Sequence, residues 1–187
     1  MSKLNLPDFR NEPYTDFIKV ENRVRMEAAQ DKVRGELGRT YKLVLAGERV
    51  ASDATFNSTN PARPSEIVGV HQKATPEQAM RAIEAAWDYF PEWSRTRPED
   101  RVAMLLKAAS LLRERKFEFN AWMVFEAGKT WPEAEAETAE AIDFCEYYAR
   151  EMARLAGPQP VVQLPGEQDE MRYLPLDEMA RPSSSNW

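Results

Sequence analysis

Cys145 is the one thiol in the chain and His71 the one imidazole, so nucleophilic chemistry of the Cys-His or Ser-His-Asp kind would have to run through them. An active thiolate needs nearby positive charge or a helix N-terminus. Cys145 instead stands in a mid-helix pattern among Glu140, Asp143 and Glu146, negative neighbours that oppose a thiolate. It reads as a buried structural thiol on a stripe with Ala141 and Tyr148. His71 lies in the strand-like run Val70-His71-Gln72-Lys73 and reads as a surface or edge-strand residue. Glu133, Glu137 and Glu140 recur at i, i+4 and i+7 on one helical face. They could hold a metal ion, but no histidine accompanies them and a solvated acidic face is expected. Gly128-Lys129-Thr130 is similar to the end of a phosphate-binding P-loop, yet Met123 stands where that loop needs a glycine. No two of the seven glycines are two residues apart, so no Gly-x-Gly-x-x-Gly turn is encoded. The residues thus predict no complete catalytic set, no metal site and no cofactor loop in this chain.

The elements that would position such residues come from 187 amino acids, enough for one domain with an appended arm. Thirty-one acids against 25 bases leave a net charge of −6, no field for drawing nucleic acid or an anionic membrane. A single cysteine excludes an internal disulfide and a zinc site built on several thiolates. The longest apolar runs, such as Val102 to Leu106, are far too short to span a bilayer, and no signal-like run opens the chain. A cytoplasmic chain is expected.

Residues 1–20 are polar and proline-bearing; Met26, Ala29, Val33 and Leu37 then recur at helical spacing up to a stop at Gly38. Tyr41–Leu45 and Arg49-Val50 around Gly47, then Thr55–Thr59 and Ile67–His71 on either side of Asn60-Pro61-Ala62-Arg63-Pro64-Ser65, predict a small antiparallel meander over 41–72. Thr75-Pro76-Glu77-Gln78 is a capping box that must open a helix. Its stripe is Ala79, Ile83, Ala86, Trp87 and Phe90, ending before Pro91. Pro98 restarts a helix with Val102, Leu105, Leu106, Ala109 and Leu112 on one face, and another runs from Phe117 to Gly128. Pro132 opens the longest, with Ala134, Thr138, Ala141, Cys145, Tyr148 and Met152 as its inner stripe before Gly157-Pro158. Trp87, Phe90, Trp93, Trp122, Phe125 and Trp131 fall on or beside these stripes and predict core packing rather than cofactor stacking. Val161–Leu164 and Met171–Leu174 around Pro165-Gly166 predict an exposed hairpin, which as a lone pair of strands wants a partner sheet. Residues 177–187 lack periodicity and read as disordered.

Several strings are specific enough to carry a family. Asn60-Pro61-Ala62-x-Pro64-Ser65-Glu66-x-Val68-Gly69, Ala82-x-x-Ala85-Ala86-Trp87 and Arg101-x-x-x-Leu105-Leu106-Lys107-Ala108-Ala109 resemble the N-terminal third of the aldehyde dehydrogenase superfamily. Phe9-Arg10-Asn11-Glu12-Pro13, Glu126-x-Gly128-Lys129-x-Trp131-x-Glu133-Ala134 and the run from Ala139 to Arg150 resemble, within it, the L-glutamate γ-semialdehyde (1-pyrroline-5-carboxylate) dehydrogenases. The resemblance spans about residues 9–176 and implies an α/β fold, here its N-terminal part, mostly helical with a small antiparallel meander and a C-terminal hairpin arm. The implied divisions are an N-terminal arm and helix (1–40), meander and helices beside the cofactor domain (41–156), the start of an oligomerisation arm (157–176) and a tail foreign to the family (177–187).

The activity implied is oxidation of L-glutamate γ-semialdehyde to L-glutamate with NAD+, in proline catabolism, through a cysteine thiohemiacetal, hydride transfer and thioester hydrolysis. In family members the nucleophile, the base and the coenzyme loop lie downstream of the stretch matched here. Where a glycine-rich strand and Trp-Asn-Phe-Pro would follow Leu176, this sequence reads Asp177-Glu178-Met179 and ends at Trp187. A truncated or frameshifted dehydrogenase is therefore expected, inactive alone and binding no NAD by itself. The resemblance carries over two substrate-tunnel candidates, Glu140 and Phe144. It also implies a homo-oligomer or sheet-edge partner reached through the 161–174 hairpin. The alternative is a helical binding module that pairs through that hairpin with a full-length dehydrogenase.

Overall fold

The computed structural model describes residues 6–173; the predicted tail 177–187 and the last residue of the predicted hairpin, Leu174, lie outside them. Four helices form the body: α1 (Val20–Arg34), α3 (Pro98–Glu114), α4 (Lys116–Ala127) and α5 (Trp131–Leu155). α1 lies on α4, and α5 lies on both α3 and α4. Met26 and Val33 of α1 meet Ala121 and Phe125 of α4 and Val68 of the sheet in one buried cluster, with Phe17, Leu37, Phe117, Trp122 and Trp131 packed around it. The buried apolar residues of α3 and α5 are mostly small: Val102 and Ala109 on α3, and Ala134, Ala139 and Ala149 with Ile142 on α5. Small side chains let two long helices approach closely.

α1 stops at Arg34, four residues before the glycine predicted to end it. Gly35 donates to the carbonyls of Asp31 and Lys32 and tightens the last turn. Gly38 uses its positive φ of 76° to turn the chain into the sheet, donating its N–H to Val68 O at 3.0 Å.

The strands β1 (Arg39–Tyr41), β2 (Leu43–Leu45), β3 (Glu48–Val50), β4 (Thr55–Asn60) and β5 (Arg63–Gln72) do not form the single antiparallel meander predicted. β5 is the centre of a three-stranded sheet, antiparallel to β4 and parallel to β1, with Arg39 opposite Gly69 and Tyr41 opposite His71. β2 and β3 form a separate hairpin whose two turn residues, Ala46 and Gly47, both have positive φ. Alternation along a strand names the faces and not the neighbour, which is why the parallel pair escaped the sequence. The Asn60-Pro61-Ala62 string earns its place at the β4–β5 turn. Asn60 Oδ1 accepts the Ala62 N–H at 2.9 Å, and its Nδ2 donates to Glu66 at 2.7 Å. The Pro61 ring then abuts Gly128, the left-handed cap of α4, where an added Cβ would meet Pro61 Cγ at 2.9 Å.

α2 (Pro76–Arg95) opens on the predicted capping box, with Gln78 N donating to Thr75 Oγ1 and the Gln78 side chain accepting from Thr75 N. It runs through Pro91 rather than stopping before it. Ser94 and Arg95 side chains donate to the Pro91 carbonyl, and Arg101 of α3 donates to the carbonyls of Ser94 and Thr96, so the end of α2 is sealed by side chains. None of its residues is buried. Trp87 and Phe90 stack on each other on its surface, in place of the core packing predicted for them.

α5 is long, as predicted, but its inner face is turned from the predicted stripe. Ala134, Glu135, Thr138, Ala139, Ile142 and Ala149 are buried, whereas Cys145 is half-buried and Tyr148 is 55% exposed. The predicted C-terminal hairpin has no strand within the described residues. The limbs are joined by one side chain: Gln163 both donates to Asp169 O and accepts from Asp169 N.

Candidate functional site

The N-terminal arm lies across α5 and is fixed there at successive points. Arg150 Nε donates to Pro7 O at 2.8 Å. Asp143 accepts from Asn11 Nδ2 at 2.8 Å and from Glu12 N at 2.7 Å. The Glu12 carboxylate meets Arg113 at 2.6 Å, and Arg113 continues to Glu146 at 2.8 Å. Farther along, Lys116 Nζ donates to Pro13 O, and Glu135 accepts from Thr15 N at 2.7 Å.

Glu135 is the deepest charge of the molecule's described part, 2% exposed. Its carboxylate takes Lys116 Nζ at 2.6 Å and Asn120 Nδ2 at 2.8 Å, and Asn120 Oδ1 accepts from Thr138. Burial pushes its carboxyl up, but the hydrogen bonds from Lys116, Thr15 and Asn120 outweigh that and hold it below the usual carboxylate range. Among the described residues no buried side-chain polar atom is left unpaired. Glu146 follows the same rule: burial raises it, and Arg150 and Arg113 bring it down.

Between arm and helix lies a cavity of about 350 Å³, lined by Phe9, Asn11 and Tyr14 of the arm and by Glu140, Asp143, Phe144, Tyr147 and Tyr148 of α5. Both residues singled out by the resemblance, Glu140 and Phe144, line it. They are four apart on a helix and so share a face. Phe144, 51% exposed, stacks on Tyr148, and Phe9 meets Tyr147 edge-on with ring centres 5.6 Å apart. Glu140 is exposed and makes no hydrogen bond or ion pair with another described residue. An unspent carboxylate beside aromatic faces favours a small cation, above all an ammonium group.

The other candidates fall apart from this cavity. His71 is on the central strand rather than a surface or edge strand, half-buried and stacked between Tyr41 and Phe56 at 5.2 and 5.4 Å. Glu137 pairs with Lys129 at 2.5 Å. Glu133 accepts from the backbone N–H and hydroxyl of Thr130, and the backbone bond first and the hydroxyl second hold its carboxyl below its usual range. That carboxylate occupies the α5 N-terminus, where a phosphate would sit if Gly128-Lys129-Thr130 were a nucleotide loop. These residues therefore do not fit a dinucleotide pyrophosphate. Among the described residues no group of acids, histidine and cysteine is arranged to hold a metal ion, and no helix is long and apolar enough to cross a membrane. The sequence reading missed Glu135, Lys116 and Asn120 altogether. The one available signal was a charge and an amide falling at core-facing spacing.

Residues 49–178 match the aldehyde dehydrogenase family. The chain is 49% identical over 168 residues to a 1-pyrroline-5-carboxylate dehydrogenase of Geobacillus thermodenitrificans and 51% identical to one of Geobacillus kaustophilus, alignments covering 90% of this chain and 33% of each relative. It thus spans about a third of the length of the curated relatives it matches. Among solved structures, 1-pyrroline-5-carboxylate dehydrogenase from Thermus with bound NAD superposes with a TM-score of 0.88 at 47% identity, over 92% of this chain and 34% of that one. The Mycobacterium tuberculosis Delta-pyrroline-5-carboxylate dehydrogenase bound with NAD gives 0.83 at 26% identity, over 94% of this chain and 34% of that one. The fold is accordingly the N-terminal part of the aldehyde dehydrogenase fold, and the chain belongs to the aldehyde dehydrogenase family.

Proposed function

We propose that this chain is the substrate-facing N-terminal part of an NAD-dependent oxidoreductase that converts L-glutamate γ-semialdehyde to L-glutamate in proline catabolism. The observation that supports it is the meeting of Glu140 and Phe144 in one cavity with the arm residues Phe9, Asn11 and Tyr14. The exposed Glu140 carboxylate suits the α-ammonium group of an amino-acid aldehyde, and the Phe144 and Tyr148 rings suit its carbon stem. The reaction also needs an activated sulfur, donors for the developing oxyanion, a base for water and a coenzyme site. Cys145 lies in the middle of α5, away from the helix N-terminus that would favour a thiolate, and the α5 N-terminus is already capped by Glu133. The chain by itself is accordingly read as inactive. Mixing the pure chain with the semialdehyde and NAD+ is expected to yield no NADH; steady NADH production would refute that reading.

A second reading rests on the segment 161–173, where Val162, Leu164, Met171 and Tyr173 are all exposed. Here the chain adds this segment to a sheet edge of a dehydrogenase subunit. Size-exclusion chromatography with a full-length relative is expected to show co-elution, abolished by Val162→Asp; separate peaks at micromolar concentration would eliminate it.

A further inference from the structure

We propose that the arm segment Phe9–Tyr14 is a strap that forms one wall of the cavity, and that Asp143 is the positioning residue that seats it. The inference rests on the reading of that cavity as the place of the amino-acid aldehyde. Three of the eight lining residues, Phe9, Asn11 and Tyr14, come from the arm. No helix or strand holds the arm at this point, so side chains must fix where these residues sit.

The arm is tied at Pro7, Glu12, Pro13 and Thr15 by Arg150, Arg113, Lys116 and Glu135, all outside the lining of this cavity. Of the described residues of α5 that line the cavity, Asp143 alone hydrogen-bonds the strap. One oxygen takes the Glu12 N–H at 2.7 Å and the other the Asn11 amide at 2.8 Å. Gripping backbone and side chain of adjacent residues fixes rotation as well as position, so Asn11 is held toward the cavity and Phe9 is set edge-on against Tyr147. Pro7 just before the strap and Pro13 within it reduce the freedom lost when it is seated. A carboxylate spent on two donors is also less available to a ligand, which leaves Glu140 as the cavity's free charge.

The test uses the 187-residue chain and two independent readouts. NMR of the wild type is expected to show a ring–ring Overhauser contact between Phe9 and Tyr147, with the Glu12 amide protected from exchange. Asp143→Ala should abolish the contact and speed Glu12 exchange at least about tenfold, with Ala121 in the core still protected. Asp143→Asn, which keeps the volume and one acceptor, should restore the contact; if Asp143→Ala loosens Ala121 as well, Asp143→Asn decides by showing intermediate Glu12 exchange. Unchanged Overhauser contact and Glu12 protection in Asp143→Ala would overturn the proposal. The second readout titrates L-glutamate γ-semialdehyde, without coenzyme, onto Phe144 and Tyr148 ring signals. Asp143→Ala is expected to raise the dissociation constant at least about tenfold, whereas Arg150→Ala, which frees the Pro7 end and the Glu146 carboxylate but leaves both Asp143 contacts in place, should stay within about twofold. Equal binding by Asp143→Ala and the wild type would also overturn it. A wild-type chain whose cavity signals do not respond would count against the assigned substrate instead, and the contact and exchange readouts would still decide the strap.

Discussion

The strip where the arm crosses α4 and α5 and the solvent-facing helix α2 end in opposite states. Along the arm the acids are largely taken out of water and each is paired: Glu135 with Lys116, Asn120 and Thr15, Glu12 and Glu146 with the more exposed Arg113. On α2, Met80, Ile83 and Tyr89 stay exposed, and no residue of the helix is buried. A helix whose apolar stripe is nowhere fully buried within the described residues still forms, because its capping box and sealed C-terminus satisfy its ends. Local chemistry therefore accounts for α2, and long-range pairing accounts for the arm. Contiguous apolar surface of this kind is normally covered by another surface.

That contrast can be broken most forcefully at Glu135. Removing the carboxylate in Glu135→Ala leaves Lys116 buried without its 2.6 Å partner, and a cost of about 3–5 kcal/mol is expected in urea unfolding; a loss below about 1 kcal/mol would show that the network is not what holds the arm. A matched pair of truncations sharpens the same point. Ile142→Ala in the fully buried α5 face should cost about 2–4 kcal/mol, whereas Ile83→Ala on α2 should fall within about 0.5 kcal/mol. Similar values at both sites would mean that α2 is covered in solution, for instance by self-association, which sedimentation would reveal.

A smaller effect is expected with acid. Hydrogen bonds from Arg115 and Lys32 lower the Glu118 carboxyl from 4.5 to about 2 and tie α1 to α4. Because the folded value is the depressed one, its contribution is complete above pH 4.5 and is lost as pH falls through about 2. Glu118→Gln should flatten the pH dependence of stability in that window; an unchanged acid limb would remove Glu118 from the account.

How much could be read in advance follows the same division. The α2 capping box was legible because Thr75 and Gln78 are three residues apart and need nothing else. So was the turn at Asn60, whose partners are two and six residues away. The apolar spacing of α5 points through Ala141, Cys145 and Tyr148, while the residues that turn inward include a glutamate and a threonine. Charge at a core position is legible only when its partners are known, and those of Glu135 come from residue 15, from 116 and from 120. Pro91 reads as a stop in the sequence, whereas the helix runs on to Arg95, with the Ser94 and Arg95 side chains donating to the Pro91 carbonyl. Over the described residues 161–173 no strand forms for a plainer reason, since two strands without a partner sheet gain too little from pairing. Glu140 and Phe144 were reached by family resemblance and not by residue chemistry; only their four-residue spacing foretold that they would share a face.

The substrate role proposed for the arm–α5 cavity is tested most directly by grafting residues 6–173 into the Geobacillus thermodenitrificans relative in place of its matching third and measuring semialdehyde kinetics. An active hybrid is expected in which Glu140→Gln and Phe144→Ala each raise KM by about tenfold, one lost contact's worth, with kcat held within a few-fold. An active hybrid whose KM ignores both substitutions would contradict it.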